Sequence, residues 1–538
     1  MQWRGMSSVL AFERWPRRRA KPRPDTLAPY FRHGFWGRHK ILTGLVLALV
    51  ASLYGLVFGV TATAFLVQMM IPVALVALLA MALLPENGVA FDRTVTWLLY
   101  SLVLALAIWP DYLAFAAGGL PWITAVRLIA IPLCLIYFIS LSQSSAYRGE
   151  LRTSLEAAPA TWKMLAVFFV LAFLSIGLSD KLAESTNKFI VAIYAWGTMF
   201  LVAAQIFGRP GRARTFAQLL WLGSLFACCI ALWELRLGQV PWAGHIPSFL
   251  KIEDETVATI LSGKQRAALG EHRVQGKFTT PLGLAEFLAL IVPFLIHFLI
   301  TGRNLFERGA ALATLGLMLF VINKTDSRLG IIGFIVGGFG YLFYWALRRW
   351  RRRPGSVFAP MLVLGYPAMM LVLLIASFFV TRIRNAVWGS GAYQASNEAR
   401  EQQFSQGIDL IARHPWGHGI GRAAETLGFT NLDGVVTIDS YFLSIGLEMG
   451  VIGFIAYYGA FIVTLWVGSR ELISASDREE TAWLAPTLLA LGNFVIIKSI
   501  LSQQENHPLA FLYLGMALAL IALTRRLRAR SEIPKAAG

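Results

Sequence analysis

The run Arg413-His414-Pro415-Trp416-Gly417-His418-Gly419-Ile420-Gly421, followed by Asp439-Ser440-Tyr441-Phe442-Leu443, lies in a polar stretch between two long apolar ones. The chain leaves an apolar segment at Thr381, stays polar as far as Thr437, and turns apolar again from Ser440. A chain that crosses a bilayer, emerges and returns has this pattern, because a lipid core accepts only segments whose backbone polar groups are satisfied internally. The same alternation recurs on both sides of the stretch and decides the fold class.

The 538 residues are 57% hydrophobic and 14% charged, with a mean hydropathy of +0.60. A soluble chain carries about a quarter charged residues. Fourteen apolar runs have the length of helical spans: 41–58, 61–84, 95–109, 122–141, 163–179, 189–207, 216–235, 281–300, 310–322, 329–347, 357–380, 440–467, 482–501 and 508–524. Losing one pair leaves twelve. The expected fold is therefore an all-α polytopic membrane protein with 12–14 transmembrane helices, fourteen preferred.

Charge orients it. Arg17-Arg18-Arg19, Arg148 and Arg152, Arg209, Arg212 and Arg214, Arg303 and Arg308, Arg348-Arg349 and Arg525-Arg526 all fall on one side when both termini are placed inside. That is the positive-inside pattern, and it accounts for most of the net charge of +18 without nucleic acid as a partner. The domains expected are a basic cytoplasmic tail (1–40), an N-terminal transmembrane bundle (41–235), a first long outer loop (236–280), further spans (281–380), a large second outer loop (381–439), C-terminal spans (440–524) and a cytoplasmic tail (525–538). The tail before residue 41 has no small-residue cleavage site after its apolar run and reads as uncleaved. Within the second loop, Phe404, Ile408 and Ile411 have helical spacing, which predicts an amphipathic helix over 397–412, on the membrane surface or packed on the bundle. Cys134, Cys228 and Cys229 lie in apolar runs and offer neither a disulfide framework nor a metal site.

Basic residues at the outer face, the side this rule depletes, point to an anionic ligand. Arg273 closes the first long loop, Arg328 follows Asn323-Lys324-Thr325-Asp326-Ser327, Arg382 and Arg384 stand at the exit of 357–380, and Arg400 lies further along the second loop. Arg127 and Lys498 sit inside spans, where an ionisable group needs a partner or a cavity. Arginine grips phosphate oxygens with two parallel hydrogen bonds, which suits a lipid-linked diphosphate. Plainer readings stand beside these: Arg382, Arg384 and Arg127 snorkelling to headgroups, and Lys498 pairing with Glu505 or a carbonyl. For a general base the candidates are Asp439, Asp326, Glu286, Glu398, His414 and His418. Asp439 or Ser440 also reads as a helix N-cap, His414 as a turn former, and Gly450 and Gly453 as small residues for helix packing. No phosphate-binding GxxxxGK[ST] loop occurs, so the energy of any transfer must already be stored in the donor.

Four stretches together resemble the O-antigen ligase/polymerase family of bacterial GT-C-type membrane glycosyltransferases. Arg273-Val274-Gln275-Gly276-Lys277-Phe278-Thr279-Thr280-Pro281 is similar to the family's Arg-x-x-Gly-x-Phe-x-x-Pro. Ser327-Arg328 resembles its Ser-Arg, and His414-Pro415-Trp416-Gly417-His418-Gly419 its His-Pro-x-Gly-x-Gly. Asp439-Ser440 with Gly450 and Gly453 resembles the ligases' motif of a histidine, nine intervening residues after its neighbour, and Gly-x-x-Gly. The resemblance spans roughly residues 265–460.

The resemblance implies a metal-independent, cofactor-free, inverting glycosyltransferase of the bacterial inner membrane whose active site faces the periplasm. Its donor is an undecaprenyl-diphosphate-linked oligosaccharide. The other partners are an acceptor glycan, membrane lipid and, for a polymerase, a chain-length-regulating membrane protein. Carried over by motif, Arg273 and Arg328 hold the diphosphate, with Arg127, Arg382, Arg384, Lys498 and Arg400 as further substrate-binding candidates. The ligases' histidine is replaced here by Asp439, which favours a polymerase of exopolysaccharide or O-antigen repeats over a lipid A core ligase, with Asp439 as base and His414 as the alternative. A flippase for the same lipid-linked substrate is the competing class. Such transporters show two similar halves with broken helices at mid-membrane, whereas the polar features here gather at one face.

Overall fold

The computed structural model describes residues 84–115, 123–252, 272–353, 357–380, 394–430, 436–474 and 479–532, with isolated positions between them. The chain divides into two units, 1–75 and 76–538, and the described residues belong almost wholly to the second. The expected spans 41–58 and 61–84, both tails beyond 40 and 532, and Arg382 and Arg384 lie outside the described residues, apart from a few positions in the first two spans.

Every expected span from 95–109 onward falls on a helix. These are α1 (Asp92–Ile108), α2 (Ala125–Gln143), α4 (Pro159–Ser175), α5 (Leu182–Ile206, with a π-helical turn at Ile193–Gly197), α6 (Arg212–Leu237), α7 (Pro281–Thr301), α8 (Leu305–Lys324), α9 (Arg328–Arg352), α10 (Phe358–Phe379), α13 (Tyr441–Ser474), α14 (Leu484–Lys498) and α15 (His507–Glu532). The remaining helices, α3 (Ser145–Glu156), α11 (Gln394–Arg413) and the short α12 (Ala423–Leu427), are not spans. Ten helices among the described residues are long and apolar enough to cross a membrane. The one departure from helix in regular structure among them is a small antiparallel ribbon, β1 (Leu113–Phe115) with β2 (Leu250–Ile252), pairing Leu113 with Ile252.

Burial sorts the helices. α7 and α15 are enclosed by protein, whereas α2, α4 and α9 turn most of their apolar surface outward, as lipid-facing helices do. α15 packs along the C-terminal part of α5, α4 along α13, and α7 between α8, α9 and α14. The helix starts follow local chemistry. Thr280 caps α7 by accepting from Gly283 N at 3.3 Å, with Pro281 in the first turn where its missing N–H is harmless. Ser327 caps α9 in the same way, accepting from Gly330 N at 3.2 Å.

At one end of the bundle, where α6, α8, α13 and α15 begin or end, arginines meet carboxylates: Arg209 with Asp92 and Glu150, Arg214 with Glu307, Arg525 and Arg528 with Glu471. A cavity of about 180 Å³ there is lined by Arg209, Arg214, Arg303 and Glu480. The loops after α1, α6, α8, α11 and α14 gather at the other end, and the motif residues lie there.

Candidate functional site

Arg273 reaches across to the turn that precedes α9. Its Nε donates to the Thr325 carbonyl at 3.0 Å and a terminal nitrogen to the Asp326 carbonyl at 3.2 Å, while the Asp326 carboxylate stands 3.9 Å away. The neighbouring Val274 N donates to the Lys324 carbonyl at 3.2 Å. Asp326 adopts φ 50°, a left-handed conformation that Asp tolerates better than most residues, and this turns both carbonyls toward the guanidinium. Ser327 then caps α9, and Arg328 is its first residue. The Arg-x-x-Gly and Ser-Arg stretches, far apart in sequence, thus form one structural unit.

Below them Glu234, fully buried near the end of α6, accepts from Gln275 N and Gly276 N, the latter at 2.6 Å, and lies 3.0 Å from His272 Nε2. Glu505 accepts from Thr279 N at 2.9 Å and from the Thr279 hydroxyl. The segment leading into α7 is therefore pinned from both sides by carboxylates.

The second unit joins α11, the glycine-rich turn and α13. α13 is broken at Gly450, whose φ of 69° and ψ of −170° are not helical. The turn fills the break: His418 N and Gly419 N donate to the carbonyls of Leu447 and Glu448 at 2.8 and 3.0 Å, and Val451 N donates to the Pro415 carbonyl at 3.1 Å. Broken helix ends leave backbone groups that must find partners, and this turn supplies them. A Cβ on Gly450 would stand 1.9 Å from the Pro415 oxygen, and one on Gly417 2.4 Å from the Glu448 oxygen. Gly450 is thus a backbone break locked to the turn rather than only a small packing residue.

α11 runs alongside the first segment of α13. Gly407 lies against Leu443, and Ile411 against Gly446. The helix is present as expected and packs on the bundle, but through Gln403, Gly407, Leu410 and Ile411; Phe404 and Ile408 stay exposed. Through α11, Asp439 acquires its surroundings. Its N–H donates to Gln403 Oε1 at 2.9 Å, and its carboxylate lies 3.5 Å from Arg400 Nε. Burial raises the Asp439 carboxyl above its ordinary range, and the Arg400 charge opposes that rise. Ser440 accepts weakly from Leu443 N, the N-cap position, and donates to the Ser499 carbonyl at 2.7 Å.

The loop between α14 and α15 brackets the two units. Glu505 holds Thr279, while Ser502 donates to the Ile438 carbonyl at 2.5 Å and Ser499 accepts from Ser440. Arg273, Arg328, Asp439 and Arg400 thereby belong to one connected end of the molecule. His414 stands elsewhere: it is exposed, its ring 4.9 Å from that of His418, beside the Gly450 break. The helix between Asp439 and that break is about 13 Å long at 1.5 Å per residue. Arg127 opens α2 and donates to the Tyr194 hydroxyl at 3.2 Å. Lys498 is fully buried in an ion pair with Glu286 at 2.8 Å, and Asn506 also donates to Glu286 at 3.0 Å. Lys498 and Glu286 thus answer each other in place of the expected Glu505, while the expected carbonyl partner is present as well, since Lys498 also donates to the Gln503 carbonyl.

Sequence reading passed over Gln403 and Asp111, took Lys277 only as part of a motif and weighed Glu505 only as a partner for Lys498. Gln403 shares a face with Gly407 and Leu410, and a glutamine on the buried stripe of a surface helix was the available signal. The others have no local signal, because each acquires its neighbours from a distant loop. Among the described residues no three His, Cys, Asp or Glu side chains are grouped to hold a metal ion. Residues 313–458 match the family model described as O-Antigen ligase. The match runs from within α8 to within α13 and takes in Ser327-Arg328, α11, the glycine-rich turn and Asp439 through Gly453. No curated protein matches the chain.

Proposed function

The chain carries an O-antigen ligase family domain, and from that premise we propose that this membrane protein moves a sugar chain from undecaprenyl diphosphate to an acceptor hydroxyl, polymerising exopolysaccharide or O-antigen repeats. The reading includes fourteen spans with both termini inside and the motif-bearing end in the periplasm. The observation that carries it is the α14–α15 bracket, which ties the Arg273–Arg328 unit to the Asp439 unit.

Arg273 and Arg328 would neutralise the leaving diphosphate. Arg273 is suited to this because its own hydrogen bonds go to neutral carbonyls, which orient the guanidinium without cancelling its charge. Such preorganised charge is commonly the largest catalytic term. The acceptor oxygen attacks C1 of the donor sugar from the face opposite the diphosphate. The C1–O bond to the diphosphate breaks, and its electron pair leaves on the diphosphate oxygen. The acceptor proton passes to the Asp439 carboxylate, and C1 inverts. Burial supports Asp439 in this role by raising its proton affinity, and Arg400 and Gln403 hold it in place. His414, at the far end of the helical segment, is the weaker candidate.

The test is complementation of a deletion strain with wild type, Arg328→Ala and Asp439→Ala at matched membrane levels. Single lipid-linked repeats in the null strain, polymer restored by wild type, and failure of both variants are expected. Long chains retained on undecaprenyl diphosphate, with only their attachment to lipid A core lost, would make it a ligase. Lipid-linked units held on the cytoplasmic face would make it a flippase.

A further inference from the structure

Four residues after Arg273 the chain buries a lysine that nothing in the proposed mechanism uses. Lys277 is 2% exposed, yet among the described residues it makes neither a hydrogen bond nor an ion pair; its ammonium lies 4.1 Å from the centroid of the Phe278 ring. Two carboxylates stand near enough to feel its charge: Asp111, from the loop after α1, and Glu505, from the α14–α15 loop. Each has one oxygen sealed from solvent without a hydrogen-bond partner, Oδ1 of Asp111 and Oε2 of Glu505. The other Glu505 oxygen is occupied by Thr279. Arg127 also lies within electrostatic reach of Asp111. Three separate loops therefore hold an ammonium and two orphaned carboxylate oxygens within electrostatic reach of one another.

Buried polar atoms without partners cost free energy, and a fold that keeps several together has a use for them or suffers for it. The charges of Arg127 and Lys277 balance those of Asp111 and Glu505, so a charged ligand gains little here. A neutral ligand bearing many hydroxyls gains more, because each hydroxyl both donates and accepts and so satisfies ammonium and carboxylate together. Tyr112, Trp109 and Trp242 pack together next to Asp111, with Trp242 Nε1 donating to the Tyr112 hydroxyl at 3.0 Å. An aromatic wall beside convergent polar groups is how small-molecule sites are commonly built.

The geometry points to a sugar subsite formed by Asp111, Lys277 and Glu505, which takes the first pyranose of the lipid-linked donor, the ring attached to the diphosphate. This inference rests on the function proposed above, since Arg273 would place the diphosphate beside it. The subsite selects among donors by the positions of their hydroxyls, whereas Arg273 and Arg328 grip any lipid diphosphate.

The experiment compares two probes with the purified full chain in lipid nanodiscs. One is undecaprenyl diphosphate; the other is the undecaprenyl-diphosphate-linked oligosaccharide extracted from the deletion strain. Wild type should bind the second at least about tenfold more tightly, the worth of one or two well-made hydrogen bonds. Lys277→Met and Asp111→Asn should each bring that ratio toward one while binding the sugar-free probe as wild type does. Arg273→Ala should weaken both probes alike. The shape-keeping Asp111→Asn carries the test if Lys277→Met fails to fold, which loss of sugar-free binding would report. A ratio unchanged in the variants, or equal to one in wild type, overturns the subsite and leaves the proposed function standing. Failure of wild type to bind either probe removes the proposed function and the subsite with it.

Discussion

The two ends of the bundle treat their cations in opposite ways. At the end that holds Asp92, arginines meet carboxylates directly: Arg209 lies 2.5 Å from Asp92 and 2.8 Å from Glu150, and Arg528 lies 2.5 Å from Glu471. At the end that holds Asp439, Arg273 is held by two carbonyls with a carboxylate 3.9 Å away, Arg400 and Asp439 stand 3.5 Å apart, and Lys277 forms no ion pair among the described residues. A cation matched by a close anion has spent its field locally and serves to fasten helices. A cation oriented by neutral dipoles keeps a field that can act on something else. The lesson is that a count of arginines does not find a site; their partners do.

The comparison breaks at Arg422, which Asp180, Glu184 and Glu425 hold at 2.7, 3.1 and 2.9 Å at the same loop end, and at Lys498, which carries the largest expected effect. It belongs to the loop end but is sealed in an ion pair with Glu286, at 0% and 1% exposure. Lys498→Met strands the Glu286 charge and should cost about 3–5 kcal/mol of stability, the usual result of removing one partner of a buried pair. Thermal unfolding of the detergent-solubilised protein would read it, and adding Glu286→Gln should recover most of the loss. If the double variant stays as weak as the single one, the pair is more than a fastener, and Lys498 rejoins the site candidates.

Arg273 sharpens the contrast. Arg273→Ala should lower the transfer rate by on the order of 10²–10³ with little change in melting, the scale for losing one preorganised donor. Arg209→Ala should do the reverse, lowering the melting temperature while leaving turnover per folded molecule unchanged. Arg273→Lys keeps a charge but loses the fork to the Thr325 and Asp326 carbonyls, and should fall between wild type and Arg273→Ala. Equal melting losses for Arg273→Ala and Arg209→Ala would erase the distinction between the two ends.

Much of this was legible in the sequence, for physical reasons that also mark the limit. Apolar runs from residue 95 onward fall on helices because hydropathy is local and the lipid core enforces it. The amphipathic helix before His414 was legible too, but its buried face was not. Of its large apolar side chains Leu410 and Ile411 pack inward while Phe404 and Ile408 stay exposed, and Gln403 and Gly407 complete the buried face, because close approach to Leu443 demands a small residue. Pairings such as Lys498 with Glu286, or Arg273 with the Thr325 carbonyl, join points that only the packed bundle brings together. Gly450 read as a packing residue because nothing in the sequence announces that the Pro415 carbonyl occupies the place of its missing side chain.

That reading of Gly450 is testable. Gly450→Ala must drive a Cβ into the Pro415 oxygen and hold alanine at φ 69°, so it should cost roughly 3 kcal/mol, the upper range for such strain. Gly309→Ala, in α8 with nothing within 4 Å of a new Cβ, is the control and should leave melting unchanged or slightly raised. The two glycines separate a helix that must break at the loop end from one that need not. Equal tolerance at both positions would mean that the turn and the break are not interlocked.

The smallest effect expected concerns Asp439 and Arg400. As a base Asp439 must be ionised, and burial raises its proton affinity while Arg400 lowers it. The rate should therefore fall as pH drops through this raised value. Arg400→Gln removes the lowering influence and should move the acid limb of kcat/KM to higher pH. The movement should be small, because side chains 31% and 37% exposed are screened by solvent. Arg400→Lys should restore the limb. Stability runs the other way. A carboxyl whose folded value is raised contributes stability that is greatest below its unfolded value and is lost as pH rises through the folded one. Acid loss of activity at Asp439 would thus occur where this group favours the fold, so a rate that falls while melting holds is the signature of a base. An acid limb that does not move in Arg400→Gln would assign the titration to another group and leave Asp439 as the cap of α13 alone.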